Sequence, residues 1–160
     1  MTKIFLALGS NLGDKKQRIN DATSLLKKYI GDITVAKFYE TRPQYYEKQD
    51  TFVNTVISGY TELSPLELLH FIKEVEKQIG RKKRFHFGPR EIDIDILFYD
   101  DLIYKYENLI IPHPLLQERE FVLKPFLDLE PNFVHPQLKK TIKELYEELS
   151  ESKKSIIQKL

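Results

Sequence analysis

The sequence of 160 residues contains no cysteine and no tryptophan, and neither sign of charge is in clear excess. Without cysteine, the chain can form no disulfide scaffold, no thiolate nucleophile and no zinc site that uses cysteine ligands. Its 25 Lys and Arg residues against 24 Asp and Glu residues give a formal net charge of +1. This balance excludes a globally basic protein that binds nucleic acid, although it allows a local basic patch.

Long apolar runs are missing as well. The apolar run near the start is ended by Gly9, which makes it too short for a secretory signal segment or a membrane-spanning helix. Hydrophobic residues make up 41% of the chain and charged residues 31%, a composition typical of a globular protein that can bury a core. We therefore expect one domain covering residues 1–160, cytoplasmic and monomeric, with no membrane association.

Apolar periodicity predicts four strands and two helices in the N-terminal part of the chain. The strands are predicted at residues 3–8, 33–39, 52–60 and 91–98. Between them, Asp14 caps a first helix that ends at Gly31, and Ser64 with Glu67 forms a capping box for a second helix that ends before Gly80. This order is typical of a ferredoxin-like βαββαβ fold of the α+β class, with an antiparallel sheet and both helices packed on one face.

The remaining residues add a smaller extension. A turn at residues 100–101 leads into a hairpin with strands at 102–104 and 109–111. Thr141 begins a capping box for a last helix, and the tail after Ser150 is expected to be a frayed continuation of that helix. The extension is therefore predicted to be a hairpin and a helix.

Two carboxylates, Asp93 and Asp95, lie two residues apart on the predicted fourth strand. They project from the same face, with Cα atoms about 6.7 Å apart. Such a pair repels itself unless a cation neutralises it, and oxygen ligands without His or Cys favour Mg²⁺. The alternative is an ordinary strand whose polar face meets water.

A basic and aromatic segment precedes this pair. Its cations are Arg81, Lys82, Lys83, Arg84 and Arg90, and the residues between them include Phe85, His86 and Phe87. Metal-binding carboxylates beside a mobile cationic loop are what phosphoryl transfer requires. The alternatives are a solvated loop or a patch that binds RNA.

Other candidate residues are less specific. The segment 9–13 matches neither the phosphate-binding P-loop nor the dinucleotide fingerprint. Phe52 with Asn54, and Phe121, are candidates for stacking and hydrogen-bonding a flat heterocycle, although such aromatic residues are more often part of a core. His113 lies between two prolines, which suits a phosphate or ribose contact and equally a structural role.

Several segments, taken together, carry a resemblance to a known family. They are residues 8–13 (LGSNLG), 38–41 (FYET), 52–54 (FVN), Glu76 with 80–81, 87–96 (FGPREIDIDI), and 112–114 (PHP) with 119–121 (REF). In their order and spacing, from about residue 4 to residue 136, the chain resembles the 6-hydroxymethyl-7,8-dihydropterin pyrophosphokinases of folate biosynthesis. The resemblance implies the ferredoxin-like fold and the transfer of pyrophosphate from ATP to the hydroxymethyl oxygen of a reduced pterin, which releases AMP.

The resemblance also implies roles for individual residues. By motif position, Asp93 and Asp95 would hold two Mg²⁺ ions, and Arg81 and Arg90 would stabilise charge during the reaction. The positions that match pterin-binding residues are Thr41, Arg42, Pro43, Gln44, Phe52, Asn54, Asp95 and Phe121. The positions that match nucleotide-binding residues are Glu76, Arg81, Lys83, Arg84, Phe87, Arg90, Ile96, His113 and Arg119. No residue is an obvious general base, and no nucleic acid is expected as a partner.

The sequence departs from the family pattern at several positions. The basic loop is one residue shorter than in some relatives, which leaves open whether Lys83 or Arg84 contacts phosphate. Arg42 stands where proline is common, and Asn108 and Ile110 stand where an Arg and a Thr can contact nucleotide. We therefore expect the affinity for ATP to differ, rather than the reaction.

The strongest alternative to an enzyme is an RNA-binding module on the same topology, which would use the basic loop and exposed aromatic residues. Its expected aromatic strand motif is absent from the sequence. Asp93 and Asp95 would also repel phosphate unless a metal ion intervened.

Overall fold

The computed structural model describes residues 1–43, 48–80 and 89–160. In these residues the strands are β1 (Thr2–Ser10), β2 (Ile30–Val35), β3 (Tyr39–Thr41), β4 (Phe52–Thr61), β5 (Asp93–Tyr99), β6 (Tyr104–Tyr106), β7 (Leu109–Ile111) and β8 (Ile156–Lys159). The α-helices are α1 (Lys15–Leu26), α2 (Pro65–Ile79), α3 (Glu120–Leu127) and α4 (Ile142–Glu147).

The main sheet has the order β5-β1-β4-β3-β8. β2 pairs with the same edge of β4 as β3 does, but with residues 57–61 of β4, whereas β3 pairs with residues 52–54. All of these pairings are antiparallel. β6 and β7 form the separate hairpin that the sequence predicts. The order of β1, α1, β2, β4, α2 and β5 along the chain confirms the ferredoxin-like α+β arrangement.

The two faces of the sheet carry two different cores. On one face, Ile4, Leu6 and Leu8 of β1 pack against the buried residues of α1 and α2. On the other face, Phe5 packs against the buried residues of α3 and α4, and its ring stacks on Phe126 with the centroids 4.4 Å apart. The second core extends over only part of its face, because β1 continues there with the small residues Ala7 and Gly9.

Local signals place the ends of the helices correctly in most cases. The Asp14 carboxylate accepts the Gln17 N–H at the start of α1, and Ser64 forms the predicted capping box of α2. Gly80 ends α2 with a left-handed φ of 99°. The predicted end of α1 at Gly31 is wrong, because the helix ends at Leu26 and Gly31 pairs with β4.

The predicted strand at 33–39 is also wrong in its bounds, because the structure divides it into β2 and β3. The Thr55 hydroxyl donates to the carbonyl oxygens of Ala36 and Lys37, which lie between the two strands. β3 then continues to Thr41, which pairs with Phe52 instead of opening the loop.

A β-bulge in β5 changes which residues share a face. Leu6 pairs with Ile96, but its neighbour Phe5 pairs with Phe98, so that Leu97 is the extra residue. Regular alternation along the predicted strand 91–98 puts Phe98 on the same face as Ile92, Ile94 and Ile96, and for Phe98 this expectation is wrong. Phe98 is buried in the second core together with Leu97.

The C-terminal part contains one unpredicted helix and one wrong prediction. α3 has only eight residues, contains Pro125 and lacks a side-chain cap at Arg119, so local signals for it are weak. α4 begins with the predicted capping box at Thr141. The tail after Ser150 is not a frayed helix: after a short 3₁₀ turn it forms β8, because β3 offers an edge with which it can pair.

Asn11 ties the segment before β4 and the segment before β5 to the end of β1. Its side chain, 1% exposed, donates through Nδ2 to Gln49 Oε1 at 2.8 Å and to the Asp50 carbonyl oxygen at 3.2 Å. Its Oδ1 accepts the Arg90 N–H at 2.8 Å, and its backbone N–H donates to the Arg90 carbonyl oxygen at 3.1 Å. One buried amide thus sets the positions of two connecting segments.

We predict that Asn11→Asp lowers the free energy of unfolding by about 1–3 kcal/mol, because a carboxylate oxygen would replace the donor that faces two acceptors. Urea unfolding measures this loss. Asn20→Asp on the exposed surface of α1 is the matched control and should not change the stability appreciably. Equal stability of the two variants would show that the Asn11 amide does not hold these segments.

His135 is a second buried polar group with a defined hydrogen-bonding state. It is 3% exposed and packs edge-on against Phe98, with ring centroids 5.4 Å apart. Its Nδ1 accepts the N–H groups of Gln137 at 3.1 Å and Leu138 at 3.0 Å. Burial lowers the pKa of His135 below its ordinary value of 6.5. Protonation of Nδ1 would also remove both hydrogen bonds.

We predict that the protein becomes less stable as the pH falls below about 6.5, because the unfolded chain then binds a proton at His135 more readily than the folded chain. The measurement is the urea midpoint at a series of pH values. In His135→Asn, whose amide oxygen can accept the same N–H groups, this part of the pH dependence should disappear. Identical pH profiles for both proteins would contradict the prediction.

Candidate functional site

A cavity of about 250 Å³ lies on the part of the sheet that the second core leaves uncovered. Its floor includes Ala7 and Gly9 of β1, and its walls come from β3, β4, β5, the segment before β5 and the start of α3. The described residues that line it include acidic, basic, amide and aromatic side chains. The cavity therefore has the mixed lining of a ligand site.

Asp93 and Asp95 form the acidic end of the cavity. They pair with Gly9 and Ala7 of β1, so both carboxylates project from the cavity face of β5. The Asp95 side chain is 35% exposed, and its Oδ2 lies 4.0 Å from Nε2 of His113. Because their strand neighbours are so small, the space above the carboxylates stays open.

His113 is held as a neutral imidazole beside this pair. Burial, followed by the Arg119 cation, lowers the pKa of His113 to about 4, against the opposing effect of the Asp93 carboxylate. Its Nδ1 accepts the Leu115 N–H at 3.1 Å, so the proton of the neutral ring is assigned to Nε2. The site therefore contains an uncharged N–H donor next to Asp95.

Asn54 and Thr41 form an amide end on the neighbouring strands. The Asn54 side chain is 8% exposed, and its Oδ1 accepts the Thr41 hydroxyl at 2.6 Å. Its Nδ2 lies 2.5 Å from the position that a Cβ on Gly9 would occupy. Only glycine at this position leaves the amide in place, so the pairing of Gly9 with Asn54 is part of the construction of the site.

Two aromatic rings lie near this amide. Phe52 comes from β4 and lies 3.8 Å from the same Cβ position on Gly9, whereas Phe121 comes from the first turn of α3. Both rings line the cavity, and the Arg119 guanidinium lies 5.5 Å from the centroid of Phe121. This end of the cavity can accept a flat ring with polar edges.

Cations from three separate segments complete the lining. They are Arg42 after β3, Arg90 before β5 and Arg119 before α3. The backbone of Arg90 is held by Asn11, as described above. Carboxylates and cations in one cavity are a suitable environment for a polyanion with a bound metal ion.

The structure brings together ten of the residues that the sequence analysis assigns to a site. They are Thr41, Arg42, Phe52, Asn54, Arg90, Asp93, Asp95, His113, Arg119 and Phe121. Pro43 is described but does not line the cavity. Gln44, Arg81, Lys83, Arg84 and Phe87 lie outside the described residues, and the choice between Lys83 and Arg84 stays open.

Two predicted nucleotide-contacting residues lie away from the cavity. Glu76 on α2 is 3% exposed, and its Oε2 accepts the Ile94 N–H at 2.8 Å. Ile96 is buried in the first core, because alternate residues of β5 point away from the carboxylates. A contact of Ile96 with a ligand on the cavity face would have to involve its backbone.

Sequence reasoning missed several lining residues, among them Gly9, Gln49 and Leu97. The role of Gly9 depends on its register opposite Asn54, and that of Leu97 depends on the bulge, neither of which the sequence shows. Gln49 lies in a polar segment without a local signal.

Within residues 1–43, 48–80 and 89–160, no three or more His, Asp and Glu side chains are grouped where they could hold a metal ion. Among these described residues, Asp93 and Asp95 are the carboxylates that line the cavity. In the same part of the chain, no helix has the length and apolar character needed to cross a membrane.

The family model for 7,8-dihydro-6-hydroxymethylpterin-pyrophosphokinase (HPPK) matches residues 5–131. A protein of Aquifex aeolicus named 2-amino-4-hydroxy-6-hydroxymethyldihydropteridine pyrophosphokinase is 44% identical over 144 residues, which are 90% of each chain. The Folic acid synthesis protein FOL1 of Dictyostelium discoideum is 49% identical over 135 residues, or 84% of this chain and 20% of that protein.

Solved structures show the same fold. The wild-type HPPK-DHPS of Plasmodium falciparum, crystallised with pteroate, aligns with a TM-score of 0.76 at 20% identity. The alignment covers 91% of this chain and 42% of the Plasmodium chain. This chain thus spans less than half of the length of some relatives and nearly the whole of the Aquifex protein. By the match over residues 5–131 and the identity to the Aquifex protein, the chain belongs to the 7,8-dihydro-6-hydroxymethylpterin-pyrophosphokinase family.

Proposed function

We propose that this protein transfers pyrophosphate from ATP to the hydroxymethyl group of 6-hydroxymethyl-7,8-dihydropterin, producing AMP and the pterin diphosphate of folate biosynthesis. The observation that carries the proposal is the cavity itself, in which aromatic and amide side chains, two carboxylates and three arginines line one space. The proposed reaction is the one named for the family, and ten of the residues predicted to take part in it line one cavity.

The amide end suits the pterin. A pterin is a flat heterocycle with hydrogen-bonding groups along its edge, so Phe52 and Phe121 can contact its faces. The Asn54 amide is fixed by the Thr41 hydroxyl and can read the edge. Fixed polar groups reduce the conformational entropy that is lost when the ligand binds.

The acidic end suits Mg²⁺. Asp93 and Asp95 would hold the ion, because Mg²⁺ in proteins is usually bound by one or two carboxylates together with substrate phosphates. The two carboxylates on one strand face fit this requirement, and we propose two ions as the family pattern implies. When bound there, Mg²⁺ supplies neutralisation and orientation of the phosphate oxygens of ATP.

The remaining residues bind and orient the phosphates. Arg90 and Arg119 line the same cavity as the carboxylates and can stabilise negative charge on the transferred group. His113 can donate its Nε2 proton in a hydrogen bond without adding a charge. The proposed contributions of Arg81, Lys83, Arg84 and Phe87 concern residues outside those that the structure describes.

In the proposed reaction, the hydroxymethyl oxygen of the pterin attacks the β-phosphorus of ATP in line with the bond to the α-phosphate oxygen. The new oxygen–phosphorus bond forms as that bond breaks, AMP leaves, and the hydroxyl proton passes to water. No side chain is assigned as general base, because phosphoryl transfer depends mainly on positioning and electrostatic stabilisation. The protein's task is thus to hold two substrates end to end.

We further propose that the whole chain is one domain and acts as a monomer in the cytoplasm. The two cores lie on opposite faces of one sheet and share its strands, which supports a single domain.

The direct test is incubation of the purified protein with ATP, Mg²⁺ and 6-hydroxymethyl-7,8-dihydropterin. We expect AMP and the pterin diphosphate in equal amounts, and neither product when Mg²⁺ or the pterin is omitted. Chromatography of both products measures the reaction. A folded protein that forms neither product would overturn the proposed function.

We predict that Asp95→Asn lowers kcat by about 10²-fold or more, because the amide cannot replace the charge that a cation requires. The fold should remain intact, since removing one of two like charges relieves repulsion in the ligand-free protein. Asp101→Asn, at an exposed turn position, is the matched control and should retain full activity. Full activity of Asp95→Asn, together with unchanged dependence on Mg²⁺, would exclude this carboxylate as a metal ligand.

A further inference from the structure

The C-terminal segment of residues 154–159 lies against the cavity wall and outside the part that the family model matches. β8 pairs with β3, and within this pairing Thr41 lies opposite Ile156. Thr41 is the residue whose hydroxyl fixes the Asn54 amide. The Leu160 N–H donates to the Phe38 carbonyl oxygen at 2.8 Å and extends the pairing. The strand that carries Thr41 is therefore held between β4 and the C-terminal segment.

The same segment also holds Arg42, the next residue of the cavity wall. The Arg42 N–H donates to the Ser155 carbonyl oxygen at 2.8 Å. The Arg42 guanidinium donates through Nη2 to the Lys154 carbonyl oxygen, also at 2.8 Å. Backbone and side chain of Arg42 thus both depend on where the C-terminal segment lies.

On its other side, the segment is attached to the start of α3 by Glu120. This carboxylate is 7% exposed, and its Oε1 accepts the N–H groups of Ser155 at 2.8 Å and Ile156 at 2.9 Å. Hydrogen bonds to an ionised carboxylate are stronger than those between neutral groups. Glu120 stands between Arg119 and Phe121, both of which line the cavity.

A further contact reaches the beginning of β4. The Gln158 amide donates to Glu40 Oε1 at 2.8 Å, and the Thr51 hydroxyl donates to Glu40 Oε2 at 2.8 Å. Thr51 directly precedes Phe52, the aromatic residue of the β4 wall. All of these contacts concern the amide and aromatic end of the cavity, and none of them involves Asp93 or Asp95.

We propose that residues 154–159 form a strap that sets the distance between the β3–β4 wall and the α3 wall, and that Glu120 is a positioning residue for the pterin. The strap joins Thr41 and Arg42 on one wall to Arg119 and Phe121 on the other through a single short segment. This inference rests on the proposed function, because it names the pterin as the substrate whose binding residues the strap positions. A defect in the strap changes pterin binding more than ATP binding, because Arg119 is on the positioned wall whereas Asp93 and Asp95 are not.

The first test compares Glu120→Ala with the unmodified protein in steady-state assays. We expect KM for the pterin to rise about tenfold, the scale of losing hydrogen bonds to a charged group, while KM for ATP rises clearly less. Glu120→Gln keeps an oxygen at Oε1 for the same two N–H groups and should restore most of the pterin affinity. If Glu120→Ala fails to fold, a normal pterin KM in Glu120→Asp, whose shorter side chain cannot reach both N–H groups, overturns the proposal.

A second variant approaches the same contact from the strap. Ile156→Pro removes the N–H that donates to Glu120, and proline is tolerated as the first residue of an edge strand. It should reproduce the pterin effect although it is distant in sequence from Phe121. The double variant Glu120→Ala/Ile156→Pro should raise KM for the pterin about as much as the stronger single variant does. The effects do not add, because both changes break the same interaction.

The matched control is Glu118→Ala. Glu118 joins this region to Lys153, just before the C-terminal segment, through an exposed ion pair at 3.2 Å, and its side chain does not line the cavity. Its variant should keep both KM values. Equal changes in the two KM values of Glu120→Ala, or an unchanged pterin KM with a lowered melting temperature, would show that Glu120 only stabilises the fold.

Amide hydrogen exchange separates a failure of the strap from a failure of the proposed function. In Glu120→Ala, exchange at Arg42 and Ile156 should become faster without any substrate present. If the unmodified protein forms no product but this exchange responds, the strap exists and the proposed substrate is wrong. If exchange at Arg42 does not respond, the strap is refuted whatever the activity.

Discussion

Successive residues of a strand point to opposite faces of a sheet, and in this protein the two faces of β1, β4 and β5 perform different tasks. One face is mainly apolar and packs against α1 and α2. The other face is apolar where α3 and α4 cover it and carries polar residues where the cavity lies. Asp93, Asp95 and Asn54 therefore project from strands whose opposite face belongs to a close-packed core. Side chains on such strands are held in position by the sheet rather than by flexible loops.

The bulge at Leu97 separates the part of β5 that lines the cavity from the part that packs in the second core. Up to Ile96, the alternation along β5 sends carboxylates to the cavity and isoleucines to the first core. After the extra residue, Phe98 turns into the second core and joins Phe5. A regular strand would keep the large ring on the side of α1 and α2. The bulge thus lets one short strand supply both the acidic end of the site and the aromatic packing behind it.

Much of the fold could be predicted from the sequence where the signals are local. Asp14, Ser64 and Thr141 begin helices through hydrogen bonds within a few residues, and the ten site residues that meet in the cavity come from recognisable segments. The errors concern long-range partners: Gly31 joins β4 instead of ending a helix, and the tail after Ser150 pairs with β3. The importance of Gly9 follows from its register opposite Asn54, which no local pattern reveals.

The pairing of β8 with β3 has a consequence for how the protein is made. The hydrogen bond between Gln158 and Glu40 joins residues 118 positions apart. A chain that leaves the ribosome from its N-terminus can form the central strands long before residues 156–159 are available. Until then the outer edge of β3 exposes unpaired N–H and C=O groups, which can pair with another chain. In the folded protein β8 covers this edge, so its pairing with β3 removes a place where another chain could add a strand.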